Sequence, residues 1–171
     1  MIEKKMIDAI NEQINAELYS AYLYMSMASY FESKNLMGFA NWMRVQTMEE
    51  MTHARRFYAF LSSRTARVIL KAIDSPPSEW TSPLHVFEEA LAHEHKITAL
   101  INNLVNLSMD LRDHATTSFL QWFVTEQVEE ESNVDAVIQS LRLIDNQASG
   151  WFLLDKDLAA RTFIPPVGVT I

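Results

Sequence analysis

The sequence predicts an all-α fold: a four-helix bundle with a long crossover between the second and third helices and a short fifth helix. Apolar residues recur at alternating three- and four-residue steps in four long stripes, which is the period of an amphipathic helix. Only three glycines occur among 171 residues, and so few argue against a turn-rich β fold. Two short polar breaks and one long segment separate the stripes, as in two helical hairpins joined by a crossover.

The first two helices form the first hairpin. The first stripe predicts a helix over about residues 5–33, and the second predicts a helix from Leu36 to about residue 63. Only the short polar segment 33–35 separates them. Because a break this short cannot span the length of a helix, the two helices are expected to be antiparallel neighbours.

The segment 64–82 is too long for an ordinary loop and contains Pro76 and Pro77. Its length has a geometric explanation. A helix of about 27 residues is roughly 40 Å long, and about 19 extended residues reach up to roughly 60 Å. The segment can therefore cross the whole bundle and place the second hairpin beside the first.

The second hairpin begins with Ser82 as N-cap and Pro83 at the first helical position. The third helix is expected to end near residues 111–113, and the fourth is expected to run to about Ile144. We predict one domain over residues 1–163.

A short fifth helix is predicted over about residues 151–161, after a break formed by Asp145, Asn146 and Gly150. The remaining tail, residues 164–171, contains Pro165 and Pro166 and is expected to be partly disordered.

The composition excludes several classes of function. Fourteen basic and 22 acidic residues give a formal charge of -8, which is the wrong sign for nucleic-acid binding but suits a surface that attracts cations. The absence of cysteine excludes disulfides and thiolate metal sites and is compatible with a reducing compartment. No uninterrupted apolar stretch reaches 18 residues, and the first residues lead into an amphipathic helix. We therefore expect a cytoplasmic protein without a membrane partner.

Each apolar stripe is interrupted near its middle by polar residues that face the predicted core. The interruptions are Glu17 in the first helix, Glu50 and His53 in the second, Glu94 in the third, and Gln127 and Glu130 in the fourth. An ionised carboxylate in a core costs several kcal/mol unless it is paired or bound to a cation. Carboxylates at these positions therefore point to bound metal.

The axial positions of the four glutamates agree with this interpretation. With turn centres near residues 34 and 112, each glutamate lies about 16 to 18 residues from its hairpin turn, so the two acids of each hairpin share one height. If the crossover aligns the hairpins, all four meet in one place. Their combined charge of -4 would be balanced by two divalent cations.

The ligand types narrow the choice of metal. Glu50 and His53 form a Glu-x-x-His pair on one helical face, and a mixed carboxylate and imidazole set suits iron, manganese or zinc better than calcium or magnesium. The fourth helix carries Gln127 and Glu130 in place of a second such pair, so one ion is expected to bind more weakly. Three further carboxylates lie about a quarter-turn away and could hold a third ion: Glu49, Glu126 and Glu129.

Several of these residues also have plainer interpretations. The acidic run 126–131 resembles a solvated helix face when taken alone, although the matched heights across four helices favour the metal interpretation. Tyr24 is either a redox or hydrogen-bonding neighbour of the metals or a core tyrosine. Trp122 is expected to serve packing rather than electron transfer. The four histidines other than His53 are predicted to lie on the surface: His85, His93, His95 and His114.

Several segments together resemble the non-haem ferritins of bacteria and archaea, over roughly residues 3–163. They are Glu17 with Tyr24, residues 49–54, Pro76–Trp80, Glu94 and residues 122–131. The resemblance implies a ferritin-like bundle with a ferroxidase centre formed by Glu17, Glu50, His53, Glu94, Gln127 and Glu130, and a third iron site formed by Glu49, Glu126 and Glu129.

The resemblance also implies that Fe(II) is oxidised by O2 or H2O2 and stored as mineral in a homo-oligomeric shell of about 24 subunits. Met51 stands where the similar bacterioferritins have a haem-ligating methionine, but their second Glu-x-x-His is absent here, so no haem is expected. Many relatives have a glycine pair where this chain has residues 64–67, which leaves the local turn conformation open.

Two other functions are compatible with the sequence. One is a rubrerythrin-like di-metal peroxidase or oxygenase without a storage cage. Rubrerythrins usually add a cysteine-ligated iron domain, which a chain without cysteine cannot form. The other is a non-catalytic helical interaction protein whose buried acids happen to align.

Overall fold

The computed structural model describes residues 2–144 and 148–165, and these residues form five helices and no strand. The helices are α1 (Lys4–Ser33), α2 (Met37–Ser63), α3 (Pro83–Asp110), α4 (His114–Ile144) and α5 (Ala148–Leu158). Helix α1 packs against α2, α3 packs against α4, and α1 also contacts α3. The predicted all-α bundle of two hairpins is therefore confirmed, and the first four helices begin and end within about two residues of the expected positions.

Helices α1, α2 and α3 end in the same way. Each is followed by one residue and then by a residue with positive φ, namely Asn35 (58°), Thr65 (56°) and Arg112 (53°). The next N–H donates back to the last turn of the helix, as from Ala66 to the Leu61 carbonyl at 3.0 Å. This is the hydrogen-bond pattern of a Schellman motif. The turn at residues 64–67 thus keeps the left-handed conformation that glycine would favour, with Thr65 in its place.

The crossover, residues 64–82, runs along α1 from its N-terminal half to its C-terminal half. The Ile69 N–H donates to the Asn11 side chain at 2.8 Å, and the Ser26 hydroxyl donates to the Pro77 carbonyl at 2.6 Å. Trp80 is buried and donates from its indole N–H to Glu89 on α3 at 2.9 Å. These contacts hold the second hairpin beside the first, as the length of the segment predicted.

The fifth helix lies about three residues earlier than predicted. It spans Ala148–Leu158 rather than 151–161, and Gly150 lies inside it instead of breaking the chain. A Cβ atom at Gly150 would lie 2.7 Å from the side chain of Ile144, so this glycine permits close packing between the ends of α4 and α5. The predicted break at Asp145 and Asn146 lies outside the described residues. The predicted disordered tail also falls mostly outside them, since the description ends at residue 165.

Helix α5 is anchored on the N-terminus of α2. Leu36, the N-cap residue of α2, provides no side-chain hydrogen bond. Instead, Asp155 of α5 accepts hydrogen bonds from the N–H groups of Gly38 at 2.8 Å and Phe39 at 3.1 Å. A carboxylate is stabilised at a helix N-terminus by the free N–H groups and the helix dipole. Asp155 therefore serves as the cap of α2 although it is distant in sequence.

The apolar core is divided into two clusters, one toward each end of the bundle. One contains Tyr24, Phe39 and Val134, and the other contains Ile10, Phe57 and Leu120. The buried polar residues at the middle of α1 to α4 lie between these clusters. In the part of the chain that the structure describes, no helix has an apolar stretch long enough to cross a bilayer.

Candidate metal centre

The mid-helix polar residues form one buried layer across the bundle. None of the six is more than 4% exposed: Glu17, Glu50, His53, Glu94, Gln127 and Glu130. The apolar periodicity of each helix places them toward the bundle axis, at the heights expected from their distances to the hairpin turns. The structure therefore brings together the six residues that the sequence predicted as the inner site.

Helices α1 and α2 provide the first half of the layer. One ligand atom from each of Glu17, Glu50 and His53 lies within 4.8 Å of the other two, which is the spacing of atoms around a shared metal ion. His53 Nδ1 lies 3.3 Å from Glu50 Oε2. Gln13, one turn before Glu17, donates to Glu17 Oε1 at 2.8 Å and fixes the orientation of that carboxylate.

Helices α3 and α4 provide the second half. The Gln127 amide donates to Glu94 Oε2 at 3.1 Å, and the Tyr24 hydroxyl donates to the other oxygen, Glu94 Oε1. The core interpretation of Tyr24 is thus correct as far as burial goes, and the residue is also a hydrogen-bonding neighbour of the layer. Burial, with Glu94 nearby, raises the pKa of Tyr24 well above its usual value, so the hydroxyl keeps its proton.

The layer contains buried polar atoms that make no hydrogen bond within the described part of the chain. They include Glu17 Oε2 and His53 Nε2. Buried polar atoms are normally hydrogen-bonded, and an exception needs an explanation. Because both atoms are good metal ligands and belong to one cluster, the donor set present in this chain fits a bound transition-metal ion.

The electrostatics of the layer favour cation binding. Burial raises the pKa of Glu50 well above its usual value, and the charges of Glu94 and Glu130 raise it further. Burial, together with Glu50, also raises the pKa of Glu17, and burial with Glu94 raises the pKa of Glu130 to about 8. With a pKa of about 8, Glu130 holds a proton at neutral pH when no cation is bound. A divalent cation would displace the protons and neutralise the carboxylates.

The three residues predicted for an outer site do not lie in the same environment. Glu126 is half-buried, and one of its oxygens lies within 4.8 Å of ligand atoms of His53 and Glu130. Glu49 is also half-buried, but its Oε2 is paired with Arg161 at 2.6 Å. Glu129 is exposed. Glu126 thus lies close to the inner layer, Glu49 interacts electrostatically with His53 and Glu126, and the exposed Glu129 interacts with Glu126.

The prediction that His93 is a surface residue was wrong. Its side chain is 8% exposed, and its Nε2 lies 2.8 Å from the Ser20 hydroxyl. Burial lowers the pKa of His93 to about 4, so its ring is neutral at physiological pH. His93 precedes Glu94 on α3 and packs against Tyr24 and Tyr19. The three- and four-residue repeat of apolar residues identifies only the central stripe of α3, whereas α1 covers the neighbouring face that carries His93. His85, His95 and His114 are at least partly exposed.

Two further residues at the layer were not predicted. The Gln46 amide donates to Glu130 Oε2, and Arg161 donates to Gln46 Oε1 at 2.8 Å. Gln46 lies in the buried stripe of α2, so the helical period predicts its burial. It does not predict the hydrogen bond to Glu130. Nothing in the local sequence around Arg161 indicates that it reaches the layer, since its partner is 115 residues away.

Trp122 packs around the imidazole, as predicted. Its ring meets the His53 ring edge-on with centroids 5.5 Å apart, and the central carbon of the Arg56 guanidinium lies 3.8 Å from the centroid of the Trp122 ring. These contacts restrict the rotation of His53.

Comparison with known proteins agrees with this geometry. The model of the ferritin-like domain matches residues 7–144, which include all four long helices. The chain belongs to the ferritin family.

The similarity to individual ferritins extends over almost the whole chain. It is 39% identical to a bacterial non-heme ferritin of Staphylococcus saprophyticus over 163 residues, covering 95% of this chain and 98% of that protein. It is 36% identical to the corresponding ferritin of Staphylococcus aureus over the same length. The chain is thus a member of the non-haem ferritins of bacteria and archaea, as the sequence resemblance implied.

Solved ferritin structures superpose closely on the fold. An open-pore ferritin from the hyperthermophilic archaeon Archaeoglobus fulgidus has a TM-score of 0.94 with 51% identity, covering 95% of this chain and all of that one (100%). A form of the Archaeoglobus fulgidus ferritin engineered to be closed has a TM-score of 0.95 with 52% identity, over 96% of this chain and 100% of the other. These values support the bundle and crossover described above.

Proposed function

We propose that this ferritin stores iron and is a ferroxidase, which oxidises Fe(II) to Fe(III) at a di-iron centre inside the bundle. The observation that carries the proposal is the convergence of Glu17, Glu50 and His53, with unpartnered ligand atoms on two of them. Carboxylates mixed with one imidazole suit Fe(II), and the same carboxylates provide the oxygen ligands that Fe(III) prefers. We assign this function to one domain, residues 1–163.

The layer offers two positions for iron with Glu50 between them. Glu17 and His53 would complete one position, and Glu94 and Glu130, with Gln127, would complete the other. Glu50 interacts electrostatically with Glu94 and Glu130 and also contacts Glu17, which suits a bridging carboxylate. The second position lacks an imidazole, so we expect its ion to bind more weakly and to leave more readily.

The proposed reaction transfers electrons from Fe(II) to the oxidant and consumes protons. Two Fe(II) ions lose one electron each, and O2 takes up both electrons with two protons to give H2O2; alternatively, H2O2 takes up two electrons and two protons to give two waters. The protons that iron displaces from the carboxyl groups could supply this demand. The Tyr24 hydroxyl holds Glu94 in place during this exchange.

We propose a third iron position beside the di-iron centre, formed by Glu126 with Glu130 and, after rearrangement, by Glu49. Glu126 already lies near Glu130 and His53. Glu129 is exposed and interacts electrostatically with Glu126, so we assign it to the same position.

Storage requires a cavity, and we propose that the chain assembles into a shell of about 24 identical subunits, as is usual for the symmetric oligomers of this family. The formal charge of -8 per chain would concentrate cations at such a shell. The requirement for a shell distinguishes the proposed ferritin from a rubrerythrin-like enzyme, which needs no cage.

The decisive experiment is aerobic loading with Fe(II), followed by size-exclusion chromatography and electron microscopy. The proposal requires rapid oxidation, a particle of about 24 subunits and an electron-dense core. Oxidation by a particle of only a few subunits without a core would favour the peroxidase or oxygenase alternative. If anaerobic titration shows no stoichiometric Fe(II) binding, the di-iron centre itself is wrong.

A further inference from the structure

Arg161 lies after the end of α5 and reaches across to α2. Its Nη2 lies 2.6 Å from Glu49 Oε2, and its Nη1 donates to Gln46 Oε1 at 2.8 Å. The guanidinium also packs against the Trp42 ring, with its central carbon 4.4 Å from the ring centroid. The side chains of Arg161 and Glu49 are only 20% and 22% exposed, so this pair is shielded more than most surface ion pairs.

The backbone around Arg161 is held in place independently of its side chain. The Asn41 amide donates to the carbonyls of Arg161 at 2.9 Å and Leu158 at 3.2 Å. One turn earlier in α5, Asp155 caps α2. The guanidinium therefore projects from a backbone segment that hydrogen bonds hold against α2.

The contact with Gln46 links Arg161 to the metal layer. A guanidinium can only donate hydrogen bonds, so Gln46 must turn its carbonyl oxygen toward Arg161. The amide nitrogen of Gln46 is then directed at Glu130, where it donates to Oε2. One cationic side chain thus fixes the orientation of a neutral residue that contacts a proposed iron ligand.

The contact between Arg161 and Glu49 competes with metal binding at the outer position. Glu126 and Glu130 already lie close together with His53, whereas the carboxylate of Glu49 is engaged by Arg161. A cation beside Glu126 would gain Glu49 as a ligand only if the guanidinium gave it up. Arg161 and the cation are therefore alternative partners for one carboxylate.

We propose that Arg161 is a positioning residue that acts as a latch on the outer metal position. In the latched state it pairs with the Glu49 carboxylate, neutralises it, and keeps the affinity for a third cation low. An incoming cation must displace Arg161 from Glu49, so an ion at this position is held weakly and can move on. This inference rests on the proposed function, because it presupposes that the outer position belongs to the iron route.

The test is calorimetric titration of the full-length, assembled, metal-free protein with Zn²⁺, which binds the same ligand types without oxidation. The variant Arg161→Met keeps the contact with Trp42 but removes the charge and the bond to Glu49. We expect its weaker, outer binding event to tighten roughly tenfold, because the competing ion pair and a nearby positive charge are lost. The tighter inner events should change by less than about threefold.

Two controls isolate the latch. Arg44→Gln removes another ion pair of α2, Arg44–Glu32 at 2.7 Å, which is exposed and points away from the layer, so it should leave all Zn²⁺ affinities unchanged. In the background of Glu49→Gln, removing Arg161 should no longer tighten the outer event, because the contested carboxylate is absent. Circular dichroism and size-exclusion chromatography check that each variant is folded and assembled; Arg161→Gln replaces Arg161→Met if the latter is not.

The outcomes separate the latch from the proposed function. If the outer Zn²⁺ affinity of Arg161→Met is unchanged or weaker than that of the wild-type protein, the latch is wrong. It is also wrong if removing Arg161 still tightens the outer event in the Glu49→Gln background. The same holds if neither the wild-type protein nor the variant shows an outer event. Loss of the inner events when Glu50 is changed to Ala establishes the centre independently, and if those events persist the proposed function fails instead.

Discussion

At the scale of single residues, Glu50 faces the other three buried carboxyl groups of the layer. It contacts Glu17 and interacts electrostatically with Glu94 and Glu130. His53, one turn later on the same helix, is the one imidazole among the six inner residues. In the proposed function, Glu50 serves both iron positions, His53 supplies the imidazole of one, and each of the other glutamates serves one position.

Replacing Glu50 or His53 by alanine should reduce the initial rate of Fe(II) oxidation by at least tenfold and leave the helices folded. Loss of one ligand typically weakens metal binding by this amount or more, and neither residue is a member of the two apolar clusters that form the core. The measurement is stopped-flow absorbance after aerobic mixing, with circular dichroism for the fold.

His85→Ala is the matched control for His53→Ala, because the His85 side chain is 40% exposed and contacts Glu89 and Thr81, neither of which belongs to the polar layer. Its oxidation rate should equal that of the wild-type protein. An unaltered rate in the Glu50 and His53 variants would show that oxidation occurs somewhere else on the protein.

At the scale of secondary-structure elements, the helix ends show where this chain uses an unfavourable residue. Thr65 has a φ of 56°, a conformation that disfavours β-branched side chains. Asn35 occupies the equivalent position after α1 with a φ of 58°, and asparagine tolerates it. The hydrogen bonds of the two turns are alike, so the strain at Thr65 comes from the side chain and not from a poorer turn.

Thr65→Gly should therefore raise the free energy of unfolding by about 1 kcal/mol, after allowance for the greater entropy of glycine in the unfolded chain. Asn35→Gly should give a smaller gain or none. Chemical denaturation of both variants under identical conditions is the measurement. Equal effects at the two positions would contradict the argument from side-chain branching.

Gly38 in the first turn of α2 determines how closely α5 can approach. A Cβ atom at this position would lie 1.6 Å from the backbone carbonyl oxygen of Asp155, so any side chain would push α5 away. Helix propensity alone favours alanine over glycine by about 1 kcal/mol. The sign of the effect thus distinguishes local preference from tertiary packing.

We expect Gly38→Ala to destabilise the protein and to detach α5. Faster hydrogen exchange at the Gly38 and Phe39 positions, whose N–H groups donate to Asp155, would report the detachment. Gly150→Ala is a useful comparison, because its Cβ would meet only the movable side chain of Ile144 and should cost less. A stabilised Gly38→Ala variant would show that α5 is not docked in this way.

At the scale of the whole molecule, the polar layer makes the metal-free fold dependent on pH. The pKa of Glu130 is raised from 4.5 to about 8, so the folded protein retains a proton that the unfolded chain loses between these values. The stability associated with this proton is fully present below about pH 4.5 and is lost as pH rises through about 8. Glu17 and Glu50, whose pKa values are raised for the same reason, add to the effect.

The melting temperature of the metal-free protein should therefore fall between pH 5 and pH 8, by an amount that corresponds to at most about 1.4 kcal/mol per pH unit for each proton retained. Glu130→Gln should reduce this slope, and saturating Zn²⁺ should reverse it, because the metal replaces the protons. Differential scanning fluorimetry with and without a chelator is sufficient. A melting temperature that rises over this range without metal would contradict the raised pKa values.

How much of this could be predicted from the sequence differs between parts of the molecule. The helices and the six inner residues could be predicted because both depend on local quantities, the period and the rise per residue of an α-helix. Distances to the turns placed the two glutamates of each hairpin at one height, whereas Glu17 and Glu94 meet because the crossover aligns the two hairpins. The position of α5 was less accurate, because its start depends on how Gly150 packs against Ile144 rather than on a sequence break.

The sequence by itself determined the fold class and the residue types at the centre of the bundle, since regular periodicity over long helices leaves few alternatives, and the resemblance of its motifs indicated the family. Only the tertiary structure decided what surrounds that centre: the burial of His93, the engagement of Glu49 by Arg161, and the cap that Asp155 provides for α2. These contacts join residues that are far apart in the chain, and no local pattern records which distant side chain fills a given space. The physical reason is that helical periodicity is a property of neighbours in sequence, whereas the partner of a buried charge is set by packing in three dimensions.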